Sequence, residues 1–403
     1  MSRRVLLHVG TPKTGTSHLQ DVLFRNRDRL RGHGILYAAD RFDAHFLAAL
    51  DLMQLRWGGI EDECVGAWDA LAAQVRAFDG TAVISHEILA TASRGQVERA
   101  LESLGHPDTE VHVVLSVRDL VRQIPAEWQE NVKHRRLLPY ATFLEQLRDP
   151  ERATGVAPWF WGVQEIPDIL DRWARDLPPE RVHLVTVPPP GGPRELLWER
   201  FSSVFGLDDL DDLDLEAERA NPSMGVPETA LLRRLNARVN DVVPPDAYRP
   251  LVRELLAHQT LSQRRSSARL TLPPDDLPWV QELTDSWLAT LRERGYHVVG
   301  DLDELVGTPP SEYADPDRPD EHQVADAALD AMKALLLENA RLVRAEADLA
   351  HRLAETEAAL ARSYLRPSYR FREKTVRLLQ RSLPGRAALG AYRRVRGRSS
   401  RSA

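Results

Sequence analysis

Cysteine is nearly absent from this sequence: Cys64 is the only one among 403 residues. One thiol cannot form an intrachain disulfide or supply the set of sulfur ligands that a cysteine zinc site needs. Long apolar runs are also lacking. No window approaches the about 18 apolar residues that span a bilayer, and residues 5–7 before His8 are too short for the apolar region of a signal peptide. We therefore expect a cytoplasmic protein, with peripheral attachment to the inner face of the membrane left open.

Positive charge is scarce over most of the chain. The 53 Lys and Arg are outnumbered by 60 Asp and Glu, so the net charge is −7 and no specific nucleic-acid binding is expected. Residues 361–403 are the exception, because they hold 12 Arg, Lys374 and only one acidic residue, Glu373. That segment therefore has a net charge of +12, and residues 1–360 have a net charge of −19. The asymmetry indicates that the C-terminal segment has a separate function.

Short apolar runs alternate with helical patterns through the first 300 residues, as they do in α/β proteins built on a mostly parallel sheet. The runs predict strands at residues 5–9, 82–85, 111–117 and 182–187. Apolar spacing predicts helices near residues 17–31, 94–104, 120–135, 163–176, 228–240, 247–258 and 276–294. Ligands of such sheets bind beyond the carboxyl ends of the strands, so the polar residues there are the candidates for chemistry.

The sequence divides into four parts. Residues 1–307 form the predicted α/β domain, the Pro-rich residues 308–320 a linker, residues 321–361 a long helix, and residues 362–403 a basic tail. Interspersed aromatic and apolar residues in the tail are compatible with an amphipathic helix near 370–382 on an anionic membrane surface. A solvated arm or a nucleic-acid contact is the alternative for the tail.

Residues 324–360 contain no Gly or Pro and have apolar residues spaced by 3 and 4, which is typical of a coiled coil and predicts a homodimer. The predicted seam consists of Met332, Leu335, Asn339, Leu342, Glu346, Leu349, Leu353, Thr356 and Leu360. The alternative is an amphipathic helix that packs on its own globular domain. Asn339 is of the kind that fixes the register of a two-stranded coiled coil.

A Gly-containing turn follows the first predicted strand and leads into a helix. Backbone amides in such a turn, together with a helix N-terminus, bind anions and most often phosphates. Gly10 and Gly15 are spaced as in a Walker A loop, but Thr16 occupies the slot of its lysine and Lys13 lies inside the loop. The strand over 111–117 is followed by Arg118, where a Mg²⁺-binding aspartate would be wanted. Both departures weigh against an ATPase or GTPase.

The turn resembles the 5′-phosphosulfate-binding loop of the sulfotransferases that use 3′-phosphoadenosine-5′-phosphosulfate (PAPS). The residues that carry the resemblance are Thr11, Pro12, Lys13, Thr14, Gly15, Thr16 and Ser17. The resemblance implies a P-loop-like three-layer α/β fold, PAPS as sulfuryl donor, and transfer to a hydroxyl or amine without a metal. It also implies that Lys13 acts in catalysis and that residues 12–17 bind the donor.

A second family element is a strand that ends in arginine, followed eight residues later by a serine, both of which bind the 3′-phosphate. Arg118 matches the arginine, but Ala126 stands at the serine position. The resemblance assigns the 3′-phosphate to Arg118, and Arg122 or Gln123 could replace the missing serine. The family's late Gly-rich basic loop has no match, since residues 263–267 are basic and polar but differ in pattern.

The strand over 82–85 leads to His86 and Glu87, where many sulfotransferases carry the general base. Either side chain could take the proton of an acceptor hydroxyl. Glu87 is favoured over His86, because bacterial members of the family commonly have a serine-x-glutamate at this place. Trp159, Trp161 and Trp173 could stack on a sugar or an adenine ring, although tryptophans more often belong to the core.

The sequence therefore predicts a PAPS-dependent sulfotransferase with an unknown acceptor, such as a glycan or a glycolipid. The rival hypotheses are a P-loop small-molecule kinase and a non-enzymatic protein that binds 3′-phosphoadenosine-5′-phosphate (PAP) or acts as a scaffold.

Overall fold

Six strands form one sheet in the order β2-β3-β1-β4-β5-β6, and every neighbouring pair is parallel. The computed structural model describes residues 2–57, 59–193, 195–216 and 223–365, and the pairs 374–375 and 378–379. The strands are β1 Arg4–Gly10, β2 Ile35–Tyr37, β3 Thr81–Ser85, β4 Glu110–Val117, β5 Val182–Thr186 and β6 His297–Val299. The predicted α/β fold with a parallel sheet is confirmed, and the sheet is parallel throughout.

The middle of the sheet is buried on both faces. Strand β1 lies between β3 and β4, and its residues from Val5 to Gly10 are all buried. Near-continuous apolar runs are what a parallel sheet with both faces covered requires. The four predicted strands therefore end within a residue or two of the observed ones, whereas β2 and β6, with three residues each, were not predicted.

Fifteen α-helices are present within the described residues. They are α1 Thr16–Arg25, α2 Arg27–Gly32, α3 Ala44–Met53, α4 Glu61–Cys64, α5 Ala67–Ala77, α6 Arg94–Ser103, α7 Leu120–Lys133, α8 Tyr140–Arg148, α9 Ala157–Gln164, α10 Ile166–Trp173, α11 Leu196–Phe205, α12 Val226–Val239, α13 Pro245–Tyr248, α14 Leu277–Arg294 and α15 Glu321–Leu365. A π-helical segment spans Arg249–Thr260, and short 3₁₀ helices include Glu87–Thr91.

Two predicted helices differ from the observed ones. The helix expected over 17–31 is broken at Asn26, whose amide donates to the carbonyls of Val22 at 2.9 Å and Asp214 at 2.8 Å. The helix expected over 163–176 is divided between the end of α9 and α10, because Pro167 has no N–H and so favours the first turn of a new helix.

The described chain divides into two compact units, residues 1–332 and 333–403. The first unit extends beyond residue 307 and includes the segment 308–320, which was predicted as a linker. That segment is irregular, and its Asp317 accepts hydrogen bonds from the backbone of Tyr140 at 3.1 Å and Ala141 at 2.9 Å. In the second unit α15 continues to Leu365.

The predicted amphipathic helix over 370–382 and most of the basic tail lie outside the described residues. Among the helices that the structure describes, none combines the length and the apolar character needed to cross a bilayer.

Candidate functional site

A buried histidine joins the carboxyl ends of the three central strands. His8 of β1 lies with Nδ1 2.8 Å from Ser85 Oγ of β3 and with Nε2 3.0 Å from Ser116 Oγ of β4. Burial lowers the pKa of His8 to about 4, despite the opposing charge of Glu87. The imidazole is therefore neutral at pH 7 and can donate from one nitrogen and accept at the other. These bonds fix the three strand ends at one edge of the sheet.

The β1–α1 loop, residues 11–15, starts from that edge. Thr14 is buried, and its hydroxyl donates to the carbonyl of Thr11 at 2.6 Å and lies 2.5 Å from Ser116 Oγ. Lys13 has a φ of 64° and Gly15 a φ of 88°. Left-handed backbone is unfavourable for a residue with a side chain such as Lys13. The loop is thus held in a compact turn that a free peptide would rarely adopt.

The remaining predicted loop residues flank Lys13. The carbonyl of Pro12 accepts a hydrogen bond from Gln123 Nε2 of α7 at 2.8 Å, so α7 also supports the loop. Helix α1 begins at Thr16, which is buried, and Ser17 in its first turn is exposed. The structure therefore brings residues 12–17 together at a strand-to-helix turn.

The ammonium group of Lys13 faces α7. Lys13 Nζ lies 2.6 Å from Glu130 Oε2, and Arg253 donates to the other oxygen of the same carboxylate at 3.0 Å. His134 Nε2 lies 3.2 Å from Glu130 Oε1. Burial by itself would raise the pKa of Glu130, but Lys13, His134 and Lys133 together hold it well below its usual range. Glu130 is therefore ionised and surrounded by cationic groups.

Arg118 and Arg122 follow β4 but are bound differently. Arg118 Nη1 donates to the carbonyl of Lys13 at 3.1 Å, whereas its buried Nε has no hydrogen-bond partner among the described residues. Burial, with the charge of Arg122, lowers the pKa of Arg118 to about 10. Arg122 instead pairs with Asp119 and donates to the carbonyl of Pro188 at 3.0 Å. Arg118 thus retains a free donor beside the loop, and the Arg122 guanidinium ties the start of α7 to the end of β5.

His86 lies just beyond β3. Its ring stacks on Phe46 at a centroid distance of 5.1 Å, and its Nδ1 accepts a hydrogen bond from the backbone of Ile88 at 3.3 Å. Burial lowers the pKa of His86, although Glu87 opposes the shift. The imidazole is held by packing and by its role as the cap of the following 3₁₀ helix.

Glu87 faces α1 and interacts with Lys13 of the β1–α1 loop. Its carboxylate accepts a hydrogen bond from Gln20 Nε2 at 3.0 Å. Burial alone would raise the pKa of Glu87, but His86, the Gln20 bond and the charge of Lys13 bring it below the usual value. Glu87 is consequently ionised at neutral pH and close enough to Lys13 for the two charges to interact.

Sequence reasoning missed one wall of this site, the inner face of α7. Glu127 is buried, accepts a hydrogen bond from Gln164 at 3.1 Å, and has its pKa raised to about 7, chiefly by burial. Gln123, Glu127 and Glu130 are spaced by 4 and 3, which places them on one helical face. That spacing is the indication that the sequence offers.

The three tryptophans considered for stacking differ in exposure. Trp161 and Trp173 are core residues whose indole N–H groups donate to the carbonyls of Leu147 at 3.2 Å and Leu89 at 3.0 Å. Trp159 is 37% exposed. Of the three, it is the one with a ring available to a ligand.

The basic segment 263–267 forms an ion pair within unit 1–332. Arg264 Nε donates to Glu228 Oε1 at 2.7 Å, and Glu228 is fully buried. A buried carboxylate needs such a partner. Arg264 is therefore engaged in neutralising Glu228.

No group of three or more His, Cys, Asp or Glu side chains in the described part of the chain is arranged to hold a metal ion. No family model matches the chain, and neither a curated protein nor a solved structure matches it. Its function therefore has to be inferred from the residues of the site.

Proposed function

We propose that this chain is a sulfotransferase that moves the sulfuryl group of PAPS to a hydroxyl or amine of an acceptor. One observation carries the proposal: Arg118 donates to the backbone carbonyl of Lys13, and the charge of Lys13 helps to lower the pKa of the Glu87 carboxylate. A basic loop residue, a second cation and a carboxylate from three neighbouring strand ends thus converge. The resemblance of residues 11–17 to the 5′-phosphosulfate loop supports the same conclusion. We propose on the same basis that the sheet has a P-loop-like architecture.

The polar groups around the loop fit a nucleotide with two separate phosphate groups. Lys13 and the start of α1 would hold the 5′-phosphosulfate, since a helix N-terminus and a cation both favour negative charge. Arg118 would hold the 3′-phosphate with its guanidinium group, whose Nε has no hydrogen-bond partner among the described residues. Arg122 is engaged with Asp119 and backbone carbonyls, so we assign it a structural role and no contact with the donor.

Glu87 is the proposed general base. An ionised carboxylate can accept the proton of the acceptor hydroxyl as the acceptor oxygen forms its bond to sulfur. The bond between sulfur and the 5′-phosphate oxygen breaks in the same step, and PAP leaves with that electron pair. Lys13 donates to the leaving oxygen and stabilises its growing negative charge. A positioned base contributes about 10²–10⁴-fold to such a reaction.

Lys13 is paired with Glu130 in this structure. Donor binding therefore requires the Lys13 ammonium to share its charge between Glu130 and the incoming phosphosulfate. The surrounding Lys133 and Arg253 allow this, because Glu130 keeps two other cations nearby.

The proposed activity is tested with the full-length chain in two steps. Isothermal titration calorimetry measures PAP binding in the presence of EDTA, and ³⁵S-labelled PAPS is then offered with a panel of carbohydrate, phenol and amine acceptors. PAP binding without metal followed by label transfer supports the proposal. Binding of ATP only with Mg²⁺ would establish the kinase hypothesis, PAP binding without transfer to any acceptor a binding protein, and binding of neither nucleotide a scaffold.

We infer in addition that residues 333–365 pair with a second copy of the chain as a coiled coil. Leu335, Leu342, Leu349, Leu353 and Leu360 of α15 are each between 39% and 62% exposed. A leucine stripe at this spacing is stable in water when a partner helix covers it.

A further inference from the structure

Two tryptophans form a partly exposed pair beside the site. The rings of Trp57 and Trp159 lie 5.9 Å apart with an angle of 45° between their planes. Trp57 is half-buried, and Trp159 is 37% exposed. Both belong to unit 1–332, and Trp57 comes from the segment that follows α3, while Trp159 lies in α9. Two adjacent, partly exposed indole rings offer a flat apolar surface on which a ligand ring can stack.

One route of contacts leads from this pair to Lys13. The ring of Trp57 lies 6.3 Å from that of His134 in an edge-to-face arrangement. His134 Nε2 lies 3.2 Å from Glu130, and Glu130 in turn binds Lys13 at 2.6 Å. The pair is therefore connected to the cation that would stabilise the leaving group.

A second route leads to the proposed base. The ring of Trp57 packs edge-to-face on Phe46 at 5.7 Å, and Phe46 stacks on His86 at 5.1 Å. The residue after His86 is Glu87. The tryptophan pair is thus connected, through two or three successive contacts, to Lys13 and to the residue that precedes Glu87.

The chemistry of this wall favours a carbohydrate ring. Indole faces bind the flat C–H faces of sugars, while the hydroxyls on the rim of a sugar need polar partners. Such partners are present, since the side chain of His134 is 38% exposed beside Trp57. A lipid chain would need a longer groove that is apolar throughout, and Glu130 and His134 interrupt the apolar surface here.

We propose that Trp57 and Trp159 bind the ring of a carbohydrate acceptor and hold one of its hydroxyls toward Glu87. The transfer of a sulfuryl group to that hydroxyl rests on the proposed function, whereas binding of the sugar does not. In this assignment Trp159 is a specificity-determining residue and takes no part in moving the proton or the sulfuryl group.

Direct binding of neutral oligosaccharides to the full chain tests this assignment. Calorimetry is performed with chitotetraose, cellotetraose and maltotetraose on the wild type, Trp159→Ala, Trp159→Phe and the control Tyr313→Ala. Tyr313 is an aromatic residue of matched exposure, 38%. We expect at least one oligosaccharide to bind the wild type and Tyr313→Ala equally. The loss of one stacking ring should weaken its binding to Trp159→Ala by about two- to ten-fold, and Trp159→Phe should restore most of the affinity.

The same proteins are titrated with PAP, whose affinity should be equal in all four. The inference is overturned if no oligosaccharide binds, or if Trp159→Ala binds it as well as the wild type does. Transfer of label to a simple phenol but to no sugar also overturns it and leaves the proposed function standing. Trp159-dependent sugar binding by a chain that neither binds PAP nor transfers label supports the carbohydrate site and refutes the proposed function.

Discussion

Lys13 Nζ and Glu130 Oε2 lie 2.6 Å apart, so a carboxylate of α7 already neutralises the lysine of the β1–α1 loop. Both side chains are mostly buried, at 24% and 15% exposure, which limits screening by water. An anion that binds at Lys13 competes with this carboxylate.

Replacing Glu130 with Gln should therefore strengthen PAP binding. The substitution removes one negative charge next to the phosphate site and keeps the hydrogen-bonding shape of the side chain. We expect the dissociation constant to fall by about three- to ten-fold, which corresponds to about 0.7–1.4 kcal/mol. Glu254→Gln is the matched control, since it makes the same charge change on a side chain that is 43% exposed. Weaker PAP binding by Glu130→Gln would show that Glu130 positions Lys13 for the anion and does not compete with it.

Arg118→Ala should selectively lose the 3′-phosphate. Charge-assisted hydrogen bonds contribute about 1.5–3 kcal/mol each, so the affinity for PAP should fall by about ten- to one-hundred-fold. Adenosine 5′-phosphate lacks the 3′-phosphate, and its affinity should hardly change. Calorimetry with both nucleotides measures the difference, and an equal loss for the two would mean that Arg118 binds another part of the nucleotide or only supports the loop.

Arg122→Ala should act on stability. Its guanidinium pairs with the buried Asp119 and donates to the carbonyl of Pro188, so its removal leaves both without that partner. We expect a loss of about 1–3 kcal/mol in the free energy of unfolding, measured by chemical denaturation. A PAP affinity reduced as strongly as in Arg118→Ala, in a variant of normal stability, would contradict this assignment and place Arg122 on the donor.

Stability should decrease in mild acid. Burial lowers the pKa of His8, His45, His183 and His258 to about 4, whereas an unfolded histidine titrates near 6.5. The unfolded chain therefore binds more protons, and the contribution of these neutral histidines is complete above pH 6.5 and lost as the pH falls toward 4. His8 and His45, which are fully buried, should each cost on the order of 1–2 kcal/mol by pH 5, and His183 and His258 should cost less because water screens them in part.

His183 offers a local test of that pH dependence. It lies between His112 at 2.7 Å and His297 at 2.8 Å, in a ladder of imidazoles across β4, β5 and β6. His183→Gln keeps a polar side chain but cannot be protonated in this range. Chemical denaturation at pH 7.5 and 5 should show a smaller acid loss in this variant than in the wild type, and an unchanged loss would exclude His183 as a contributor.

Pairing of residues 333–365 should make the protein a dimer. Leu342→Asp combined with Leu349→Asp places charges on the predicted seam, and light scattering with size-exclusion chromatography should show a shift from two copies to one. Leu337→Asp is the control, since Leu337 is 64% exposed but lies outside the seam. A monomeric wild type would contradict the coiled-coil inference.

Local patterns were sufficient for the central strands and for the loop. The runs of residues that form β1, β3, β4 and β5 are apolar and continuous, and a Gly-containing turn after β1 is visible without any tertiary information. The edge strands β2 and β6 have only three residues each, too few for a periodic pattern, and their position depends on pairing with a neighbour.

The site residues that the sequence did not predict also depend on contacts between distant segments. Glu127 and Glu130 belong to the site because α7 packs across the loop. Lys13, which interacts with both carboxyl groups, and Arg253, which interacts with Glu130, are distant from them in the sequence. Trp57 lies in an irregular segment where no sequence spacing predicts its neighbours. Such residues join the site through contacts between segments that are distant in the sequence. Local sequence patterns do not predict those contacts.

The most direct test of the central claim is ³⁵S transfer from PAPS by Lys13→Ala under single-turnover conditions. Lys333→Ala is the matched control, because Lys333 is exposed and belongs to the second unit. Circular dichroism should show that both variants are folded. We predict that Lys13→Ala loses at least about 10³-fold in rate, as expected for removal of a group that stabilises the leaving oxygen, whereas Lys333→Ala reacts like the wild type. Transfer by folded Lys13→Ala at the wild-type rate would contradict the account.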